Sequence, residues 1–124
     1  MAKYEHLPIY KSAYELLELT AIKTKDFPVN FKGTIGFKLT EETFNLVLYI
    51  YKANQTKEKI PFITNAIETI EMIELLLRLS KDLKLINIES HVKFIEITDS
   101  LLKQSNGWLR QQKSIGSNID CQGD

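Results

Sequence analysis

The sequence of 124 residues is short of cysteine, proline and glycine, and it has no long apolar run. Its single cysteine, Cys121, excludes an intramolecular disulfide framework. No stretch approaches the roughly 18 uninterrupted apolar residues of a membrane span, and the first residues lack the apolar core of a signal peptide. We therefore expect a soluble, cytoplasmic protein.

The sequence also lacks an excess of charge of either sign, because sixteen basic and sixteen acidic residues cancel. Proteins that bind duplex DNA usually rely on clustered Lys and Arg, so a neutral balance argues against binding through overall charge and leaves only a local patch. The length, with 44% hydrophobic residues, predicts one domain around one core.

What the sequence does have is four long segments with helical spacing of apolar residues, separated by three short breaks. The breaks are Phe27–Asn30, Asn54–Lys57 and Leu85–Asn87. The predicted helices run from about Pro8 to Asp26, Gly33 to Ala53, Pro61 to Leu83, and Asn87 to Lys113. This pattern predicts an all-α fold, an antiparallel up-and-down four-helix bundle. We expect the bundle to occupy residues 1–114 and residues 115–124, which include Cys121, to form a disordered tail.

The second predicted helix carries two apolar stripes instead of one. The first comprises Ile35, Leu39, Leu46 and Ile50, and the second comprises Phe37, Phe44, Val47, Leu48 and Tyr51. A helix that is apolar on two sides is buried on two sides, either by a neighbouring loop or by another subunit. The residues we expect at an oligomer interface are Phe37, Phe44, Tyr51 and Trp108. Gly107, beside Trp108, predicts either a break in the fourth helix or a close approach of another helix.

Motifs of catalysis and metal binding are scarce. The two histidines, His6 and His91, lie far apart in the sequence, and neither a nucleophile elbow nor a phosphate-binding loop is present. One edge of the third helix carries three carboxylates, Glu68, Glu71 and Glu74. Such a row is either a solvated face or a metal site. The sequence has no Glu-x-x-His pair of the kind that completes a di-iron site, which favours the solvated face. We expect no enzyme activity, no catalytic residues, no metal and no cofactor.

Positive charges gather near helix ends. Lys23 and Lys25 end the first helix, while Lys32 and Lys38 begin the second, so an antiparallel hairpin places all four at one end of the bundle. Cations at helix C-termini, such as Arg78 and Arg110, are explained by the helix dipole. The dipole does not explain Lys32 and Lys38. We therefore expect a local nucleic-acid site that involves Lys23, Lys25, Lys32, Lys38, Arg78 and Arg110.

Several short segments, in their order and spacing, resemble a known group of proteins. Leu7–Lys11 opens the first helix, Phe27-Pro28 closes it, Phe31–Leu39 opens the second, and Gly107–Leu109 stands near the end of the fourth. Together they resemble the accessory variability determinant proteins of diversity-generating retroelements. These are similar to the wider group of four-helix-bundle proteins encoded in intervening sequences of bacterial 23S ribosomal RNA genes.

The resemblance implies a four-helix protomer that assembles into a five-fold ring, a homopentamer. It also implies binding to the retroelement's reverse transcriptase and to RNA or DNA, in support of mutagenic reverse transcription and without polymerase activity. The alternative is a structural four-helix-bundle oligomer of the intervening-sequence type, with no retained role in nucleic-acid binding.

Overall fold

A computed structural model describes the backbone of residues 7–123 and the side chains of residues 7–116. This part of the chain is built from four helices and contains no β-strand. The first helix is Pro8–Thr24, the third is Ile60–Asp82 and the fourth is Ile88–Gly123. The second comprises a short turn Val29–Phe31, a π-helical turn Lys32–Gly36 and a long α-helical part Phe37–Gln55. The predicted all-α four-helix fold is confirmed.

Proline and local backbone chemistry set the helix boundaries. Pro8 and Pro61 stand in the first turns of the first and third helices, where a missing N–H costs nothing. The third helix ends with Lys84 in the left-handed region at φ 62°. The N–H of Leu85 then donates to the carbonyl of Ser80 at 2.8 Å, which satisfies a carbonyl at the end of that helix.

The second helix begins earlier than the sequence predicts, at Val29 instead of Gly33. Pro28 precedes it with a non-helical backbone at φ −54° and ψ 150°, and the N–H of Lys32 donates to the carbonyl of Pro28. The following turn is wide, because the N–H of Phe37 donates to the carbonyl of Lys32, five residues back. The sequence does not reveal this turn, because apolar periodicity does not distinguish π-helical from α-helical hydrogen bonding.

Each helix packs on the helix that follows it in the chain, and the first also packs on the fourth. The short connections make consecutive helices antiparallel. Three contacts show this order: the hydroxyls of Thr24 and Thr40 lie 3.4 Å apart, Thr98 bonds to Glu74, and Gln104 reaches back to Ser12. The connections 25–28 and 83–87 therefore lie at one end of the bundle, here called the lysine end.

The core runs along the centre of the bundle and draws on all four helices. Its largest fully buried apolar side chains are Leu16, Leu39, Leu46, Ile50, Ile63, Ile70, Ile73, Leu77, Phe94 and Leu101. Phe27, only 4% exposed, closes the core at the lysine end by packing beside Gly36. Burying an apolar side chain of this size stabilises the fold by about 1.5–3 kcal/mol, so the core is what holds the helices together.

The fourth helix differs from the prediction at its C-terminal end. It continues to Gly123, whereas the sequence predicts an end near Lys113. The reason is that no proline interrupts residues 113–123, and helical hydrogen bonding needs no apolar stripe. The assignment of residues 115–124 to a separate disordered tail stays a prediction, and the side chain of Cys121 lies outside the described residues.

None of the helices in the described part of the chain combines the length and the apolar character needed to cross a membrane.

Candidate nucleic-acid and subunit interfaces

The lysine end carries an open groove where the first helix ends and the second begins. The groove encloses about 620 Å³. The residues that line it are Ala21, Thr24, Lys25, Val29, Lys32, Gly33, Gly36, Phe37 and Thr40. The π-helical turn supplies three of them, Lys32, Gly33 and Gly36. Two of the four predicted lysines, Lys25 and Lys32, thus share one groove.

Lys32 occupies a position that stability does not explain. It stands in the first turns of the second helix, where the helix dipole disfavours a cation. It is exposed, and within residues 7–116 neither Lys32 nor Lys25 forms an ion pair. Two solvated ammonium groups beside a helix N-terminus favour an anionic ligand such as a phosphate.

Lys38 has a different role. Its ammonium group lies 3.1 Å from a carboxylate oxygen of Glu41 and 3.1 Å from one of Glu42. Hydrogen bonds and the charges of these two carboxylates, with Glu42 the stronger, raise the pKa of Lys38. The spacings i, i+3 and i, i+4 bring such groups together on a helix, so the position of Lys38 is explained by pairing within its own helix.

The other predicted basic residues are spread over the molecule. Lys23 is half-buried near the end of the first helix, and Arg78 is exposed one turn before the end of the third helix, in the lysine-end half. Arg110 is also exposed, but it lies in the fourth helix past the level of Gln104, which contacts the start of the first helix. Arg110 is therefore at the end of the bundle opposite the lysines.

A second connection adds charge to the lysine end. Lys81 and Lys84 line a groove there together with Asp82 and Glu89. Lysines and carboxylates alternate in this groove, so its local charge is close to balanced. The groove with Lys25 and Lys32 is the better candidate for binding an anion, because no carboxylate lines it.

Three of the predicted interface residues form a continuous exposed stripe on the second helix. Phe37 is 61% exposed, Phe44 54% and Tyr51 41%. Leu48 is exposed between them, and the intervals of seven, eleven and fourteen residues from Phe37 place all four on one side of the helix. We call these four, together with Tyr14 of the first helix, the aromatic face.

Tyr14 belongs to this face because of the antiparallel packing. Ala21 and Phe37 line the same groove. Seven residues back from Ala21 and seven forward from Phe37 reach Tyr14 and Phe44 at one level of the bundle. Tyr14 is exposed and its ring stacks on that of Tyr10 at a centroid distance of 6.1 Å.

Trp108, the fourth predicted interface residue, lies elsewhere. It is half-buried and packs against the core beside Leu7 and Ile9, at the end where the first helix begins. The predicted break in the fourth helix at Gly107 is wrong, because the helix continues through this position. Within one protomer, a Cβ atom there would meet nothing nearer than the Arg110 side chain at 3.9 Å, so no helix of the same chain packs closely on it. A close approach by another subunit stays a prediction.

Sequence reasoning missed an exposed stripe on the third helix, which we call the leucine face. It consists of Met72, Leu75, Leu79 and Leu83, each at least 40% exposed. The signal was present, because these residues recur at intervals of three and four. The same helix also carries a buried stripe that includes Ile63, Ile70 and Ile73, and periodicity alone does not show which of the two stripes faces the core.

The acidic row on the third helix is divided by the fold. Glu68 and Glu71 are exposed, while Glu74 turns toward the fourth helix and accepts a hydrogen bond from the Thr98 hydroxyl at 2.9 Å. Burial, followed by the neighbouring carboxylates of Asp99 and Glu71, raises the pKa of Glu74. Within the described residues, no three His, Cys, Asp or Glu side chains are arranged to hold a metal ion.

His91 follows the start of the fourth helix, where Asn87 caps the helix by accepting a hydrogen bond from the N–H of Ser90 at 2.8 Å. Burial, followed by the charge of Lys81, lowers the pKa of His91. The other histidine, His6, lies outside the described residues.

Comparison with known protein families and with curated proteins finds no match for this chain.

Proposed function

We propose that this protein is a non-enzymatic, ring-forming accessory protein of a diversity-generating retroelement, which binds reverse transcriptase and RNA or DNA in support of mutagenic reverse transcription. The resemblance of segments such as Phe31–Leu39 motivates the family. The observation that carries nucleic-acid binding is Lys32, exposed and without an ion pair among the described residues, at a helix start that disfavours it.

Lys25 completes the anion site, because it lines the same groove as Lys32. A single pair of lysines binds weakly. Assembly into a ring repeats the pair once per protomer, and linked weak sites bind a long polymer much more tightly than one site does. A chain of zero net charge can therefore bind nucleic acid along one rim.

The test is a fluorescence-anisotropy titration of labelled single-stranded RNA and duplex DNA at two salt concentrations. Lys25→Glu/Lys32→Glu should abolish most of the binding. It should also flatten the salt dependence, which has a slope of about −0.7 to −0.9 per neutralised phosphate. The matched control is Arg110→Glu/Lys113→Glu, the same charge change at the opposite end, and it should bind as the wild type does.

Two outcomes would contradict this proposal. Loss of binding in the control alone would move the site to the other end of the bundle. Absence of binding by the wild type at low salt would favour the second candidate, a structural oligomer of the intervening-sequence type. The ion pairs that occupy Lys38, together with the balanced total charge, favour that candidate.

The reverse-transcriptase partner has its own test, which is genomic. We expect a reverse-transcriptase gene beside the gene for this chain. A location inside a ribosomal RNA gene would instead support the structural candidate.

A further inference from the structure

Two apolar faces with different residues remain exposed on one protomer. The aromatic face lies where the first and second helices meet, because its Phe37 borders the groove with Ala21. Glu74 lies on the side of the third helix that faces the fourth helix, because it accepts a hydrogen bond from Thr98. The leucine face lies on the opposite flank, toward the second helix. The two faces therefore occupy adjacent sides of the bundle, with the second helix between them.

We propose that the aromatic face of one copy of this chain packs against the leucine face of the next copy. This inference rests on the ring assembly that forms part of the proposed function. It names which surfaces pair, and it makes the contact heterologous: each protomer uses both faces, once each, instead of meeting its neighbour through the same face.

The exposed area agrees with a specific contact. An aromatic side chain has roughly 150–250 Å² of surface to bury, so the four aromatic residues of the aromatic face, each 41–61% exposed, offer on the order of 300–500 Å². Leu48 and the four residues of the leucine face add further apolar area. A stable interface buries about 1,200–2,000 Å² in total, of which somewhat more than half is apolar. One copy seated on another thus supplies the apolar area that such an interface needs.

The lengths of the two faces also fit. From Phe37 to Tyr51 the aromatic face is about 21 Å long, and from Met72 to Leu83 the leucine face is about 17 Å long. Copies that stand side by side with parallel bundle axes therefore match apolar surface with apolar surface along most of their length.

The placement of the faces on adjacent sides limits the assembly. Adjacent sides of a four-helix bundle meet at about 90°. A chain of heterologous contacts closes with four copies at a turn of about 90° per copy and with five copies at a turn of about 72°. The second helix then faces the axis of the ring.

The test uses two variants, each with one blocked face. Phe44→Glu blocks the aromatic face, and Leu75→Glu blocks the leucine face. Both residues are more than half exposed, so each variant should still fold. Helical circular dichroism and a cooperative melt check that it does. Each variant alone should have the mass of a single chain by light scattering. An equimolar mixture should have twice that mass, because the intact faces still pair.

The control is Lys93→Glu, an exposed position on the fourth helix away from both faces, which should keep the wild-type mass. If the Leu75→Glu variant alone has the same mass as the wild-type assembly, or if the mixture stays at single-chain mass, the pairing of these two faces is wrong. All measurements are made without nucleic acid. A wild type that binds RNA but whose variants do not pair refutes this inference and leaves the proposed binding site intact.

Discussion

Two glycines in the turn that opens the second helix provide a sharp test of the packing at the lysine end. A Cβ atom at Gly36 would lie 3.3 Å from a ring carbon of Phe27, 3.5 Å from the carbonyl of Phe31 and 3.6 Å from Thr24. A Cβ atom at Gly33 would meet nothing within 4 Å. Neither glycine has a positive φ. The two positions therefore differ in the space available to a side chain.

The magnitudes follow from this difference. Alanine is favoured over glycine in a helix by up to about 1 kcal/mol, so Gly33→Ala should raise the free energy of unfolding by about 0.5–1 kcal/mol. Gly36→Ala gains the same amount but must displace the buried ring of Phe27, and overpacking of this kind costs about 1–3 kcal/mol. The two variants should therefore differ by about 1–3 kcal/mol, with Gly36→Ala the less stable.

The assay is urea unfolding followed by circular dichroism, at one fixed protein concentration because assembly adds to stability. Equal m-values would show that only stability has changed. If the two variants agree within about 0.5 kcal/mol, or if Gly36→Ala is the more stable, the packing of the second helix against Phe27 is wrong.

Three further substitutions test other parts of the fold. Gly107→Ala should raise the free energy of unfolding by about 0.5–1 kcal/mol, because the site is helical and a Cβ atom has room; a loss of stability in urea unfolding would show that something does pack there. Trp108→Ala should cost about 2–3 kcal/mol, since the half-buried indole covers the core beside Leu7 and Ile9, and unchanged stability would place the ring outside the packed structure. The raised pKa of Glu74 means that the folded state holds its proton more tightly than the unfolded state, so this group lowers stability as pH rises through its titration. Glu74→Gln should therefore stabilise the protein at neutral pH, by less than about 1 kcal/mol because solvent screens the site, and match the wild type in acid; thermal melts at both pH values would contradict this if the gain appeared only in acid.

The sequence was sufficient for the architecture because few residues determine it. Pro8 and Pro61 mark helix starts, Phe27-Pro28 marks an end, and the spacing of the buried leucines and isoleucines identifies the core. The π-helical turn at Lys32–Gly36 could not be predicted, because it depends on hydrogen-bond geometry that periodicity does not encode. The role of Gly107 could not be predicted for a related reason. A glycine in a helix is compatible with close packing but does not require it.

The candidate sites were predictable only in part. The hairpin between the first two helices correctly predicted that Lys25 and Lys32 would lie near each other. The pairing of Lys38 with Glu41 and Glu42 was visible in the spacing and was overlooked. The spacing of Met72, Leu75, Leu79 and Leu83 indicates a second apolar stripe on the third helix, but only the placement of the neighbouring helices decides which stripe stays exposed.

Self-assembly is the claim on which the account depends most, because it multiplies the lysine pair and covers both apolar faces. The most direct measurement is the mass of the wild-type protein in solution by light scattering at micromolar concentration, without nucleic acid. We predict a mass near five times the 14.3 kDa of one chain. A mass equal to that of one chain would contradict the account.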